Sequence, residues 1–290
     1  MTKWSSVHLL FCEGPHDAAF LNRLLKNHLG FKKIELKISE LPYPIRDVLQ
    51  QSFKTRAAGD LRLDLAKKFF LPDFLVVKDT TLGMVFNYGG SNRQVNMTSF
   101  LKNVFNLLNA PAFAGMGSAE SPKYAYALFA DADMHGKSGA LALIRQDLAK
   151  IGDSAWLSSE WTAIDHSTAV MQKTNFGLTS AYIWKKSAED NGTLEDIVLE
   201  CLASNEGLKQ TLQFLDDRFN WIPPPSASPE QVCASAAKRL KAAFCVEGQR
   251  EKPGMSLGVV LDQTDLLQQK VIEKSPAVND CLMFLRAWLI

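Results

Sequence analysis

The sequence predicts an α/β layer fold built on a substantially parallel sheet flanked by helices, and two observations carry that expectation. Short apolar runs of strand length alternate with stretches of helical periodicity through the first half of the chain, the pattern of strand-helix-strand units. Two of the apolar runs also stop at carboxylates: HLLFCEG ends on Glu13 and Gly14, and YALFADAD ends on Asp131 and Asp133. Sheets of this kind bind ligands beyond the carboxyl ends of their strands. The two acidic ends therefore converge if their strands are neighbours.

Taken in order, Val7 to Cys12 reads as the first strand. Pro15 suits a first helical position, and Phe20, Leu21, Leu24, Leu25 and Leu29 keep helical spacing up to a stop at Gly30. KKIELKI alternates as a strand does, and residues 43–70 look helical, carrying Arg46, Lys54, Arg56, Arg62, Lys67 and Lys68. DFLVVKD and GMVFNYGG read as two strands joined by a turn from Asp79 to Gly83. Helical periodicity returns from Met97 to Leu108, a small-residue loop follows, and the strand Tyr124 to Ala130 leads to a helix from about Ser138 to Ile151. Further on, SEWTAID and SAYIWKK suit strands, and Thr193 suits the cap of a helix beginning in GTLEDIVLECLASN. Four prolines between Pro223 and Pro229 mark the best linker, followed by helices at about 230–246 and 278–289. The expected division is thus residues 1–222, with a helical insertion at about 40–85, and a mainly helical region at 223–290.

The 290 residues suffice for a full core, and the formal charge of +1 excludes a wholly basic nucleic-acid coat while leaving room for a local patch. Five scattered cysteines with no C-x-x-C pair indicate neither a disulfide framework nor a zinc knuckle. The opening MTKWSSVHLLFCEG lacks the pattern of a signal peptide, and no run approaches the ~18 apolar residues of a membrane span. A reducing cytoplasm, with no membrane partner, is the expected setting.

The acidic strand ends carry the chemistry. In an extended segment Asp131 and Asp133 fall on the same side, and two converging carboxylates suit a hard cation such as Mg²⁺. A D-x-D alone is as well read as a polar, helix-capping loop, and a lone strand-end glutamate as a solvated one. The pair is more specific. Gly14 leaves room for a phosphate or metal, and the helix beginning at Pro15 aims its positive end at the same place. Gly89 and Gly90 read as a tight turn rather than a ligand contact. His8, His16, His135 and His166 are expected to be polar loop or surface residues, and the six tryptophans to be packing residues. Lys137 stands near enough to Asp133 to neutralise a phosphate, although a solvated lysine is the plainer reading.

FCEGPHDAAFL followed by LFADAD resembles the Toprim fold of topoisomerases, bacterial primases and overcoming-lysogenisation-defect (OLD) nucleases, whose signature is a glutamate-glycine after the first strand and an aspartate-x-aspartate after a later one. Glu13, Gly14, Asp131 and Asp133 match those positions, and Asp17 resembles the acidic residue many members carry four places after the glutamate. NGTLEDIVL resembles the Gly-x-Leu-Glu segment of stand-alone Toprim proteins related to the OLD nucleases, which adds Glu195. The match covers roughly residues 5–150, and the gap between its two motifs is longer than in compact Toprim domains. No G-x-x-x-x-G-K-[ST] occurs, so an ATPase of the OLD type is absent from this chain.

The resemblance implies a Mg²⁺- or Mn²⁺-dependent nuclease. Glu13, Asp131 and Asp133 would be catalytic, and Glu13, Asp17, Asp131, Asp133 and Glu195 would hold metal. It also implies nucleic acid as substrate, a separate partner ATPase, possible homo-oligomerisation and a role as effector of an anti-phage system. Lys137, Arg56 and Lys67 are the expected phosphate contacts, the last two in the basic stretch 46–68. The alternatives are a catalytically silent Toprim module that binds nucleic acid or a partner, an aspartate-based phosphatase, whose D-x-D would normally stand on the first strand, and a D-x-D glycosyltransferase. The last leaves Glu13-Gly14 unexplained.

Overall fold

A computed structural model describes residues 4–57, 70–89, 91–109, 122–151, 161–164, 169–219, 221 and 223–289. Its centre is an eight-stranded sheet in the order β2-β3-β4-β1-β5-β8-β7-β6. The strands are β1 (Ser6–Cys12), β2 (Lys32–Lys33), β3 (Phe74–Lys78), β4 (Thr81–Asn87), β5 (Lys123–Asp131), β6 (Thr162–Ala163), β7 (Val170–Thr174) and β8 (Gly177–Trp184). The four middle strands, β4, β1, β5 and β8, are parallel, while β3 and β7 add antiparallel margins on either side. The middle strands are nearly continuous apolar runs because both of their faces are covered.

Strand alternation sends the side chains of β1 to two different cores. Leu10 and Cys12 join the core under α1 (Pro15–Leu29), while Val7, Leu9 and Phe11 join the opposite one. The second face is covered by α2 (Ile45–Ala57), α3 (Ser91–Leu108) and α4 (Gly136–Ala149). The first face is completed by α5 (Leu194–Cys201), α6 (Glu206–Arg218), α7 (Pro229–Gln249), α8 (Leu257–Gln263), α9 (Gln269–Ile272) and α10 (Pro276–Trp288).

The region after 223 therefore has no core of its own. Phe244, Val260, Leu282 and Phe284 pack in one cluster with Leu10, Phe20 and Phe129. The Arg23 guanidinium on α1 donates to the carbonyls of Leu261 (3.0 Å) and Thr264 (2.9 Å) at the end of α8. Tyr182 Oη on β8 donates to Ala277 O at 2.9 Å, and its ring stacks on Phe284. The end of the stretch expected to be an insertion, about 40–85, holds β3 and most of β4, and β4 pairs with β1 along all seven of its residues.

Several elements differ from expectation for local reasons. KKIELKI forms a ladder with β3 at Lys32 and Lys33, adds a hydrogen bond from Ile34 N to Leu75 O at 3.0 Å, then leaves the sheet for a short 3-10 turn at Ile38–Glu40. Helix α2 is described to Ala57; residues 58–69 lie outside the described part, and Phe70 is not helical. The turn between β3 and β4 is Asp79 and Thr80 alone, with Asp79 at φ 51°, and β4 begins at Thr81, two residues earlier than expected. In the described part of SEWTAID, residues 161–164, the strand is β6. Its neighbour β7, with the polar Gln172 and Lys173 in mid-strand, carries no strand signature. His8, expected at the surface, is buried within β1 with its ring edge-on to Trp288 at 4.7 Å. His166 lies outside the described residues.

Candidate functional site

Both acidic motifs sit at the carboxyl ends of adjacent parallel strands. Cys12 pairs with Phe129 across the β1–β5 ladder, so the chain leaves both strands at the same edge of the sheet. After β1 it passes through Glu13 and Gly14 into α1. Gly14 N donates to Asp17 Oδ2 at 3.1 Å, a capping arrangement that fixes Asp17 in the first turn. Asp17 is 8% exposed, and its buried Oδ1 has no hydrogen-bond partner among the described residues. Gly89, just after β4, abuts the Glu13 carbonyl so closely that a Cβ there would stand 1.7 Å from the oxygen. The tight approach expected at this glycine is therefore to the protein's own backbone; Gly90 lies outside the described residues.

At the end of β5 the structure corrects one premise. Asp131 is the last strand residue, Ala132 is buried in the opposite core, and Asp133 has φ 44°, so Asp131 and Asp133 do not share one side of an extended segment. Asp133 is instead turned by a bridge to Gly192, with hydrogen bonds of 2.9 and 3.1 Å. A left-handed non-glycine residue held by such a clamp is unusual and clusters at functional sites. The same bridge brings in α5. Leu194 N donates to Asp131 Oδ1 at 2.8 Å, and Glu195, 6% exposed, enters the cluster beside it.

The five carboxylates that the sequence nominated thus act on one another. Burial first, then the Asp133 charge, pushes Glu13 up to about 7, opposed by a hydrogen bond from the Asp131 backbone and by Lys241. Burial together with Glu13 and Glu195 raises Asp17. Asp131 is raised well above the carboxylate range by burial, Asp17, Glu13 and Glu195. Asp133 is raised by burial, with His135 and Lys241 acting the other way. Crowded, partly dry carboxylates behave in this way because each charge opposes the next.

The cation in the cluster is one that sequence reasoning missed. Lys241, on α7, places Nζ 3.3 Å from Glu195 Oε1, and its field reaches Glu13, Asp17 and Asp133. Nothing in KRLKAAF separates it from Lys238; only the docking of α7 does. Lys137, in contrast, is tied to the cluster neither by an ion pair nor by its charge, and its backbone N–H donates to Asp190 Oδ2 at 3.3 Å. The side chains of Arg56 and Lys67 lie outside the described residues, as do those of Arg62 and Lys68.

A hard divalent cation fits the donor chemistry, since the cluster offers carboxylate oxygens and the unpartnered Asp17 Oδ1. Among the described residues no three His, Cys, Asp or Glu side chains are drawn together tightly enough to share one ion. Unneutralised carboxylates repel one another, which opposes such an approach.

No protein-family model matches the chain, and no curated protein matches it in sequence. Among solved structures it is similar to the crystal structure of a hypothetical protein from Pyrococcus horikoshii OT3. The identity is 12%, the alignment covers 98% of this chain and 99% of that one, and the TM-score is 0.53. That likeness concerns the fold alone: an α/β sheet with its helices, including those of the last third of the chain. No helix among the described residues is long and apolar enough to cross a membrane.

Proposed function

We propose that the chain is a metal-dependent phosphodiesterase acting on nucleic acid, a Toprim-like nuclease. The observation that supports this reading is the mutual influence of Glu13, Asp17, Asp131, Asp133 and Glu195 at the carboxyl ends of the parallel strands, with Lys241 paired to Glu195. Glu13, Asp17, Asp131, Asp133 and Glu195 would hold Mg²⁺ or Mn²⁺. Bound there, the ion supplies Lewis-acid stabilisation of charge on a phosphoryl group.

The chain's own residues do the rest. Glu13, with its proton affinity lifted to about 7, is poised to accept or return a proton at neutral pH. The Leu194 N–H holds the Asp131 carboxylate in one orientation, and the Asp133–Gly192 bridge does the same for the backbone of Asp133. Lys241 offsets part of the negative charge that would otherwise repel a phosphate. Any ATP-driven step belongs to a separate partner, since no phosphate-binding loop of the Walker type occurs in the sequence.

The deciding experiment incubates the purified chain with single- and double-stranded DNA and RNA in Mg²⁺, Mn²⁺ or EDTA. Cleavage that needs metal, is lost in EDTA and is lost in Asp131→Asn supports the proposal. Tight nucleic-acid binding without cleavage in any metal would favour a binding platform instead.

A further inference from the structure

Beside the carboxylates lies a cleft of about 450 Å³ that metal chemistry alone does not require. Asp133 forms its edge, so the cleft begins where the acidic cluster ends. α7 lines it with Val232, Cys233, Ala236 and Ala237, and Met134 adds a further apolar side chain to the lining. Helical spacing puts Cys233, Ala237 and Lys241 in one row. The helix that lines the cleft is therefore the same one that sends its lysine to Glu195. Small residues along that helix hold the cleft open. Met134 and Val232 are large apolar side chains left 43% and 47% exposed beside it. Asn191, Lys186 and Asp196 add polar groups to the lining, with Asp196 Oδ2 accepting from Thr193 N and Oγ1.

We propose that this cleft is the subsite for the nucleobase adjoining the scissile phosphate, an inference that rests on the phosphodiesterase reading. In a substrate whose phosphate sits at Asp131 and Asp133, the neighbouring nucleoside is the first group to reach beyond Asp133. The volume lies in the range of small-ligand pockets, and apolar walls with a few acceptors match a flat heterocycle with exocyclic amines. A base enters such a cleft only when it is out of its stack. The site therefore selects single strands, or nucleotides extruded from a duplex, over intact helix.

Calorimetric titration of the full chain in Mn²⁺ with AMP, ribose 5-phosphate and inorganic phosphate tests the subsite without depending on turnover. AMP is expected to bind at least tenfold more tightly than ribose 5-phosphate. Ala236→Leu, at an exposed position on the wall, should close that gap while leaving inorganic phosphate affinity unchanged; Cys233→Leu is the second, independent variant. AMP binding no tighter than ribose 5-phosphate overturns the subsite, and so does a gap that survives both variants. In Mn²⁺-dependent cleavage, a single-stranded oligonucleotide should be cut at least tenfold faster than the same sequence in a blunt duplex, and equal rates overturn the selection. Base-dependent AMP binding with no cleavage of any nucleic acid upholds the subsite and rejects the phosphodiesterase.

Discussion

Asp133 combines the left-handed backbone, the greatest exposure in the cluster and a strong charge effect on Glu13, so it separates chemistry from folding better than its neighbours do. Asp133→Asn is expected to abolish metal-dependent cleavage while shifting stability by under about 1 kcal/mol, as exposed substitutions do. Activity assays and thermal denaturation of the same preparation check both halves, and full activity in this variant would sink the metal mechanism. Glu13→Gln should also lose cleavage but retain more Mn²⁺ affinity than Asp133→Asn, if proton transfer is its larger role; titration calorimetry compares the two. The Glu13 proton affinity adds a pH prediction. A carboxyl raised from 4.5 to about 7 on folding contributes stability below pH 4.5 that is lost as pH rises through 7. Without metal, thermal stability should therefore fall across that window, and the gain on adding Mn²⁺ should be larger at pH 8 than at pH 5.5. Glu13→Gln should flatten the metal-free trend. At this scale the sequence was informative wherever a carboxylate follows an apolar strand, as at Glu13, Asp131 and Asp133. It was silent on Lys241, which owes its role to tertiary docking of an ordinary amphipathic helix.

Among the elements, those with a buried, continuous apolar run or a strong cap were legible. Strands β1, β5 and β8 and helix α1, bracketed by Pro15 and by Gly30 at φ 75°, lie within a residue or a few of where periodicity puts them. The marginal strand β3 was legible too, but β7 was not, because it owes its pairing to the sheet rather than to its composition. Helices α6 and α8 went unread for a related reason: each buries only a few side chains and depends on neighbours for the rest. Two element-level predictions follow from close packing. Gly89→Ala must displace the backbone of Glu13, so it should reduce cleavage at least tenfold while far-UV circular dichroism stays native. His8, held down to about 4 by burial against α10, disfavours acid. Its folded proton affinity is below the ordinary 6.5, so the unfolded chain takes up the proton first. Stability should therefore drop as pH falls from 6.5 to 4, by up to about 3 kcal/mol from this group. Urea titration of the native chain and of His8→Phe across that range measures the difference; identical slopes in the two would refute it.

For the whole molecule, the decisive fact is that α7 to α10 share a core with β1, β5 and α1. A fragment of residues 1–222 is therefore expected to lose cooperative unfolding, because removing the remainder exposes Phe20 and Phe129 and leaves the Arg23 cation without its carbonyl partners. A calorimetric scan showing one sharp transition in that fragment would contradict this. The proline-rich stretch misleads on this point, since prolines before a helix mark its start as readily as a boundary between independent units. Docking of α7 has a further consequence for timing. Synthesis runs from the amino end, so all five carboxylates have been added long before Lys241 and the cleft wall formed by Val232 and Ala236. A nascent chain still short of α7 holds the acidic residues without their counter-charge or the cleft wall. Completion of the candidate site is thus deferred to the part of translation that follows α7, whatever chemistry the site carries.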